Sequence, residues 1–267
     1  MENKQATVDI GYEDFHALML EKYVKLFEVM QGIPPMMTDV FSKLHDKPLH
    51  TVCHHLAKMV ANSVNAVLVL GMNGLGNDAL KITRSMFEAA VTVKYLRLHP
   101  EEFDDYFDFH FIVAMKRHKY MEKHDPAALS RVPLEVIASN LAGYDRVKSR
   151  YLRDPNKPNK VRGYWSKKGF PEICAEVGLE GHYLTFYDLT SRIIHADISG
   201  VLAQGDREPG VLDVEIAPSE LNVEMALRTA HAYLVLAVSE YIVLARPDKR
   251  AIADRLDADF MTVWKKS

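Results

Sequence analysis

The sequence predicts an all-α protein, a single multi-helix bundle of eight or nine helices. Apolar residues recur at three- and four-residue steps along most of the chain, and proline and glycine gather between the periodic segments. No repeated run of alternating apolar and polar residues marks a sheet. The chain has 267 residues, 48% of them hydrophobic, enough for a sizeable core. It has no composition break, low-complexity run or fixed-period repeat. The expected organisation is therefore one helical domain over 1–267, with a peripheral N-terminal helix over 9–31 and a C-terminal helix over 248–264.

The elements follow in order. Phe15, Leu18, Met19, Tyr23, Leu26, Phe27 and Met30 form the apolar face of a first helix, which Gly32-Ile33-Pro34-Pro35 should stop sharply. Pro48 opens a second through Val52, Leu56, Val60, Val64 and Val67, ending at the turn Gly71-Met72-Asn73-Gly74. A third runs from about Asn77 to Leu98. A fourth starts at Pro100-Glu101-Glu102, where proline needs no donor and the acids face the positive end of the dipole, and reaches His124. A fifth starts at Asp125-Pro126, is broken or bent at Pro133 and ends near Leu152. Arg153 to Gly169 reads as a loop. A short helix over Pro171–Val177 and a long one over Gly181–Leu202 follow. Gly205 to Pro218 reads as a loop or small hairpin. Glu220 to Ala245 is apolar on most faces and so predicts a central buried helix, and Pro247 opens the last one.

The net charge of −3 and the pI of about 6.5 exclude a global pull toward nucleic acid, so any basic surface must be local. Two cysteines, Cys53 and Cys174, are too few for a disulfide scaffold and fit a reducing compartment. The first residues lack the apolar core of a signal peptide, and the most apolar stretch, Ala66–Met72, is too short to cross a bilayer. The expectation is a cytoplasmic protein without membrane contact.

The strongest chemical signal lies at 187–197. At 100° per residue, Asp188, Ser191, Arg192, His195 and Ser199 share a band roughly 100° wide, with Tyr187, Ser191 and His195 along its edge. Phe186, Leu189, Ile193, Ala196 and Val201 occupy much of the remaining circumference. Such a helix should be packed on several sides, making its polar stripe costly unless it meets partners. The stripe is either a satisfied structural network or a pocket in which His195 moves protons or binds a ligand. The second signal is Arg84 and Glu88, one turn apart, with Lys81, Thr92 and Tyr95 on the same side and Ala79, Ile82, Met86, Ala90 and Val93 opposite. Taken alone, that pattern reads as a solvated face with an i,i+4 ion pair worth a few tenths of a kcal/mol.

Arg84-x-x-x-Glu88 running on to Tyr95-Leu96, the later Tyr187-x-x-x-Ser191-x-x-x-His195, and Trp165 before it resemble a bacterial family known as domain of unknown function 5677, over roughly Asn62 to Ala245. The resemblance implies an all-α fold with the Arg/Glu helix beside the Ser/His helix, and a single site made of Arg84, Glu88, Tyr187, Ser191 and His195. It implies no activity. The family is distantly similar to helical ribonucleases of toxin and phage-defence systems, whose signature is Arg, four to six residues, then His. Arg117 to His124 has that spacing, but about two such matches arise by chance in a chain of this composition. Arg192 and His195 stand only two residues apart and depart from it.

The expected function is a polar site between the Arg84/Glu88 and Ser191/His195 helices, with Arg192 included. Its ligand would be phosphate-bearing or nucleic acid, and RNA cleavage is one chemistry: His195 would move a proton while Arg192 or Arg84 offsets phosphate charge. Arg150, Arg153, Lys157, Lys160, Arg162, Lys167 and Lys168, interleaved with Tyr164 and Trp165, could offer a single strand charge and stacking, although the same residues read first as a solvated basic loop. One alternative is a non-enzymatic interaction or regulatory module acting as a homo-oligomer. Another is a metal-dependent hydrolase or oxidase, drawing on Glu88, His195 and His231. No zinc spacing or paired Glu-x-x-His supports a named metal, and no cofactor is indicated.

Overall fold

The computed structural model describes residues 13–43, 45–154, 156–157, 160–195, 206–208, 211–213 and 218–264. The described elements are almost all helical, as expected, with one two-stranded antiparallel hairpin. In it β1 (Asp206–Glu208) pairs with β2 (Val211–Asp213), Arg207 opposite Leu212. The chain forms two compact units, one of Met1–Arg97 with Cys174–Ser267 and one of Leu98–Ile173, where unbroken composition predicts one domain. Each is described by itself.

In the first unit, α1 (Glu13–Lys22) ends at Tyr23, and α2 (Val24–Val40) continues straight through Pro34 and Pro35. The expected stop at Gly32-Pro35 is therefore wrong. The prolines remove two backbone donors, a cost of about 3 kcal/mol or more for each interior proline. Against this, Met36, Met37 and Val40 are buried beyond the prolines, each worth about 1.5–3 kcal/mol for a large apolar side chain.

α3 (Pro48–Met72) and α11 (Val223–Ala245) pack along each other and form the centre of the unit. Cys53, Ala57, Val60, Val64 and Val67 are buried on α3, and Ala226, Leu227, Ala230, Leu234 and Val238 on α11. Both helices are long and apolar enough to cross a membrane by length and composition, with a mean hydropathy of 1.2 over 18 residues. The Ala66–Met72 run alone is too short for this, and α3 reaches the length by joining it to the apolar turns before it.

α4 (Gly76–Leu98) is enclosed on more faces than the sequence suggested. Leu80, Phe87, Val91, Tyr95 and Leu96 are buried along with the expected Ala79, Met86, Ala90 and Val93, whereas Ile82 is half-buried. Phe87 meets Tyr233 of α11 at 5.1 Å between ring centroids, and Arg97 and Lys94 both pair with Glu240. At its start, a Cβ added to Gly76 would lie 2.2 Å from the Leu221 carbonyl oxygen and 2.6 Å from the Val223 nitrogen, both immobile backbone.

α12 (Arg250–Trp264) lies against α2 and α11. Trp264 Nε1 donates to His231 Nδ1 at 3.1 Å, and Phe260 meets the same imidazole edge-on at 5.1 Å. At the end of α11, buried Arg246 donates to the carbonyl oxygens of Val40 and Asp39 and pairs with Asp248, closing the C-terminus of α2 with a cation.

The second unit is built on α5 (Phe103–His124), a turn α6 (Pro126–Leu129) capped by Asp125, and α7 (Leu134–Val147). Pro133 interrupts the expected fifth helix. Ile112, Met115, Tyr144, Val147 and Tyr151 make a small core. The following loop is tied down by backbone pairing of Arg153 with Lys160 and of Arg162 with Tyr151.

From the boundary of the two units run α8 (Phe170–Glu176), a turn α9 (Glu180–His182), a π-helical turn Tyr183–Tyr187 and α10 (Asp188–Ile194). The expected long helix over Gly181–Leu202 is thus described to Ile194, with His195 at its C-cap. Ala196 to Leu202, including Ser199 and Val201, lie outside the described residues.

Gly76→Ala should lower unfolding stability by about 2–3 kcal/mol, because backbone on both sides blocks relaxation; the midpoint of urea denaturation measures it. Burial holds His231 down to about 4, against an ordinary value of 6.5. Its folded form refuses a proton that the unfolded form accepts, so stability is complete above pH 6.5 and falls as pH drops toward 4. At about 1.4 kcal/mol per pH unit, this loss reaches about 3 kcal/mol. Melting temperatures between pH 7 and 4 should fall less steeply in His231→Gln, while His45, His50 and His54, displaced in the same direction by burial, keep part of the slope.

Candidate functional site

Arg84 and Glu88 stand one turn apart on α4, and Tyr187 reaches them from the π-helical turn. Arg84 Nη2 donates to the Tyr187 hydroxyl at 3.0 Å, and that hydroxyl donates to Glu88 Oε1 at 2.8 Å. Arg84 Nε lies 3.3 Å from the same Glu88 oxygen, an ion-pair contact outside hydrogen-bonding geometry. The guanidinium carbon also sits 4.7 Å from the Tyr187 ring centroid, within cation–π range. Tyr187 is thus bound twice, by its hydroxyl and by its ring.

Local sequence explains the tyrosine's position. The π-helical turn widens the helix by one residue, a feature that recurs at functional sites. Tyr183 stacks on Tyr187 at 5.1 Å, and Phe87 supports it from α4 at 5.8 Å. Burial raises the Tyr187 hydroxyl above its ordinary range, and the bond to Glu88 adds to this, so it stays protonated as a donor. Arg84 is mostly covered, with 17% of its side chain exposed, whereas Glu88 keeps 46%. The expected solvated face of α4 is therefore half closed: Tyr95 and Thr92 are buried and Arg84 is clamped.

The other proposed residues continue the same helix outward. Ser191 is half-buried, Arg192 is exposed and paired with Asp188 at 2.9 Å, and His195 is exposed at the end of α10. The structure brings Arg84, Glu88 and Tyr187 into one bonded cluster. Among the described residues, no side-chain bond joins Ser191 or His195 to it. Thr190 and Ile193 take the buried side of α10.

Two histidine signals in the sequence converge elsewhere. His45 Nε2 and His54 Nδ1 both reach the Tyr241 hydroxyl, at 2.6 and 3.1 Å. A hydroxyl has one proton, so at least one of the two bonds must run from the imidazole to the oxygen. Burial pushes Tyr241 up to about 12, keeping that proton in place. Their common partner is a tyrosine on α11, which no local pattern announces. Among the described residues, no group of three or more His, Cys, Asp or Glu is placed to hold a metal ion, and Glu88, His195 and His231 do not form one.

The loop cations are partly spent on the protein itself. Arg150 pairs with Asp105 and Asp108, Lys157 with Asp154, and Arg162 Nη2 donates to the Arg150 carbonyl oxygen. Trp165 is 5% exposed and packs edge-on against Tyr106, so it is not offered for stacking. Arg117 and His124 are exposed on α5, and His124 lies on the Tyr120 ring at 4.8 Å.

A comparison with family profiles matches residues 50–209, more than half the chain, to the Family of unknown function (DUF5677). The chain belongs to DUF5677. The DUF5677 match takes in α3, α4 and the whole run from α8 to α10, so both halves of the Arg84–Tyr187 cluster lie within it. The partner of the central helix pair, α11, lies outside, as do α1, α2 and α12. No curated protein and no solved structure matches the chain.

Tyr187→Phe keeps the ring and removes the hydroxyl, an acceptor for Arg84 and a donor to Glu88. It should lower stability by about 1 kcal/mol in urea unfolding. Arg84→Met should cost more, since it also removes the cation from the ring face.

Proposed function

We propose that this DUF5677 protein binds a phosphate-bearing ligand, a short single strand of RNA, along the surface from Arg84 to His195. The observation that carries the reading is Arg84 itself. Its guanidinium is held flat by Tyr187 and Glu88 at the edge of solvent, so little side-chain entropy is lost when it meets an anion. From Tyr187 to His195 the helix rises about 12 Å, a span suited to a strand more than to a lone phosphate. Ser191, Arg192 and His195 lie along that rise, half-buried or exposed. In the cleavage chemistry, His195 takes the proton of a ribose 2′-hydroxyl as its oxygen attacks phosphorus, and the bond to the 5′-oxygen breaks to leave a 2′,3′-cyclic phosphate. The 5′-oxygen takes a proton from water, the hydroxide so formed recovering the proton held by His195. The cytoplasm is the compartment we assign, supported by Cys53 and Cys174, which are both buried free thiols. A role in a toxin or phage-defence system belongs to the same proposal.

Glu88 gives the test its sign. Its carboxylate competes with a ligand phosphate for Arg84, so Glu88→Gln should tighten binding of fluorescein-labelled octauridylate by about threefold to tenfold, read by anisotropy. His195→Ala should leave binding within about twofold and reduce cleavage by about a hundredfold or more, read on gels. Weaker binding in Glu88→Gln would mean that the cluster is a structural clamp.

A second reading, a non-enzymatic homo-oligomeric module, is favoured by apolar side chains left open on α7. Leu134 is 81% exposed, Val136 44% and Leu141 38%. Sedimentation at micromolar concentration should then give a dimer that Leu134→Glu converts to monomer.

A further inference from the structure

Lys116 and Lys119 of α5 and Arg153 and Lys160 of the following loop line one half-enclosed cavity of about 400 Å³ in the second unit. Its floor is apolar, formed by Ile112 and Met115. Among the described residues no acidic residue lines it, and none of the four cations makes an ion pair. Asp105 and Asp108 are engaged by Arg150, Asp108 also by Arg146, and Asp154 by Lys157, while Glu122 and Asp145 are not among the residues that line the cavity. Lys116 donates to the Arg162 carbonyl oxygen at 3.3 Å and Lys119 lies 5.9 Å from the Tyr144 ring centroid, contacts that place the ammonium groups without neutralising them.

Four like charges around one cavity repel each other and raise the local potential, a cost that an anionic ligand removes. We infer that this cavity is a binding site for a nucleoside triphosphate. The size of the cavity and the number of charges select that class together. A volume near 400 Å³ holds a single nucleotide-sized molecule, at the lower end of ordinary ligand sites. A single strand presents one phosphate charge per nucleotide, whereas a triphosphate brings three phosphates to the same place, as four cations require. The apolar floor, which Val161 extends, takes the base and sugar. This site shares no residue with the Arg84 cluster, and either assignment can fail without the other.

The test uses the full chain and isothermal calorimetry with GTP, ATP, GMP, inorganic tripolyphosphate and octauridylate at low and high salt. The triphosphates should bind with a Kd of about 10 µM at low salt, and binding should weaken at least about tenfold in 0.5 M salt. GMP should bind at least about tenfold more weakly than GTP. The double variant Arg153→Ala/Lys160→Ala should lose at least about tenfold in GTP affinity with an unchanged melting temperature, because both side chains are exposed. Three results would overturn the inference: GMP equal to GTP, an unchanged affinity in the double variant, or no triphosphate binding below about 1 mM. Tripolyphosphate binding as tightly as GTP would remove the nucleotide and leave a polyanion site. Octauridylate losing more affinity than GTP in the double variant would reassign the cavity to a nucleic-acid strand.

Discussion

The first unit depends on the enclosure of α11. Ala226, Leu227, Ala230, His231, Tyr233, Leu234, Ala237, Val238, Tyr241 and Ile242 are buried on one side of the helix, while Glu224, Arg228 and Val243 on the other side are exposed. The buried side contributes apolar burial, but each polar group it carries must then be matched by a neighbour. Trp264 of α12 meets His231, His45 and His54 meet Tyr241, and the Arg246 guanidinium just past its end meets the last carbonyls of α2. The Tyr233 hydroxyl and His231 Nε2 are the exceptions on α11, buried without a hydrogen-bond partner. Each polar match fixes the place of a neighbouring helix more sharply than apolar contact alone would.

The Arg84–Tyr187–Glu88 cluster is set by the same enclosure. Phe87 lies against Tyr233 of α11 on one side and Tyr187 on the other, which puts Arg84 and Glu88 at the rim of the core. A buried ion pair would suffer a large desolvation cost, and a fully exposed one would contribute little. This one sits between, covered on the arginine side and open on the carboxylate side, with a tyrosine hydroxyl relaying one to the other. That position leaves the carboxylate exchangeable while the cation stays in place.

The second unit shows how charge can be sorted locally in a chain whose net charge is only −3. Asp105 and Asp108 face Arg150 and Arg146 on one side of α5, while Lys116 and Lys119, two to three turns on, meet the returning loop with no acid between. The backbone pairing of Arg153 with Lys160 is what brings the loop's cations back to the helix. Global charge averages this separation away, so the excess appears only where the chain folds back on itself.

The helix class, the turns at Gly71–Gly74 and Pro133, and the burial of the Val223–Ala245 helix were legible in the sequence, because periodicity, proline and glycine act within a few residues. The relation of Arg84 and Glu88 was legible too, since i,i+4 spacing on a helix fixes it. Their bond to Tyr187 could be anticipated only from the family resemblance, because the tyrosine lies 103 residues from Arg84 and is placed by a π-helical turn that no local pattern gives away. For the same reason the run through Pro34 and Pro35, the meeting of His45 and His54 at Tyr241, and the gathering of four cations in one cavity belonged to the tertiary structure alone. Local signals set what each segment prefers; burial and charge between distant segments decided which preferences were overruled and which side chains met.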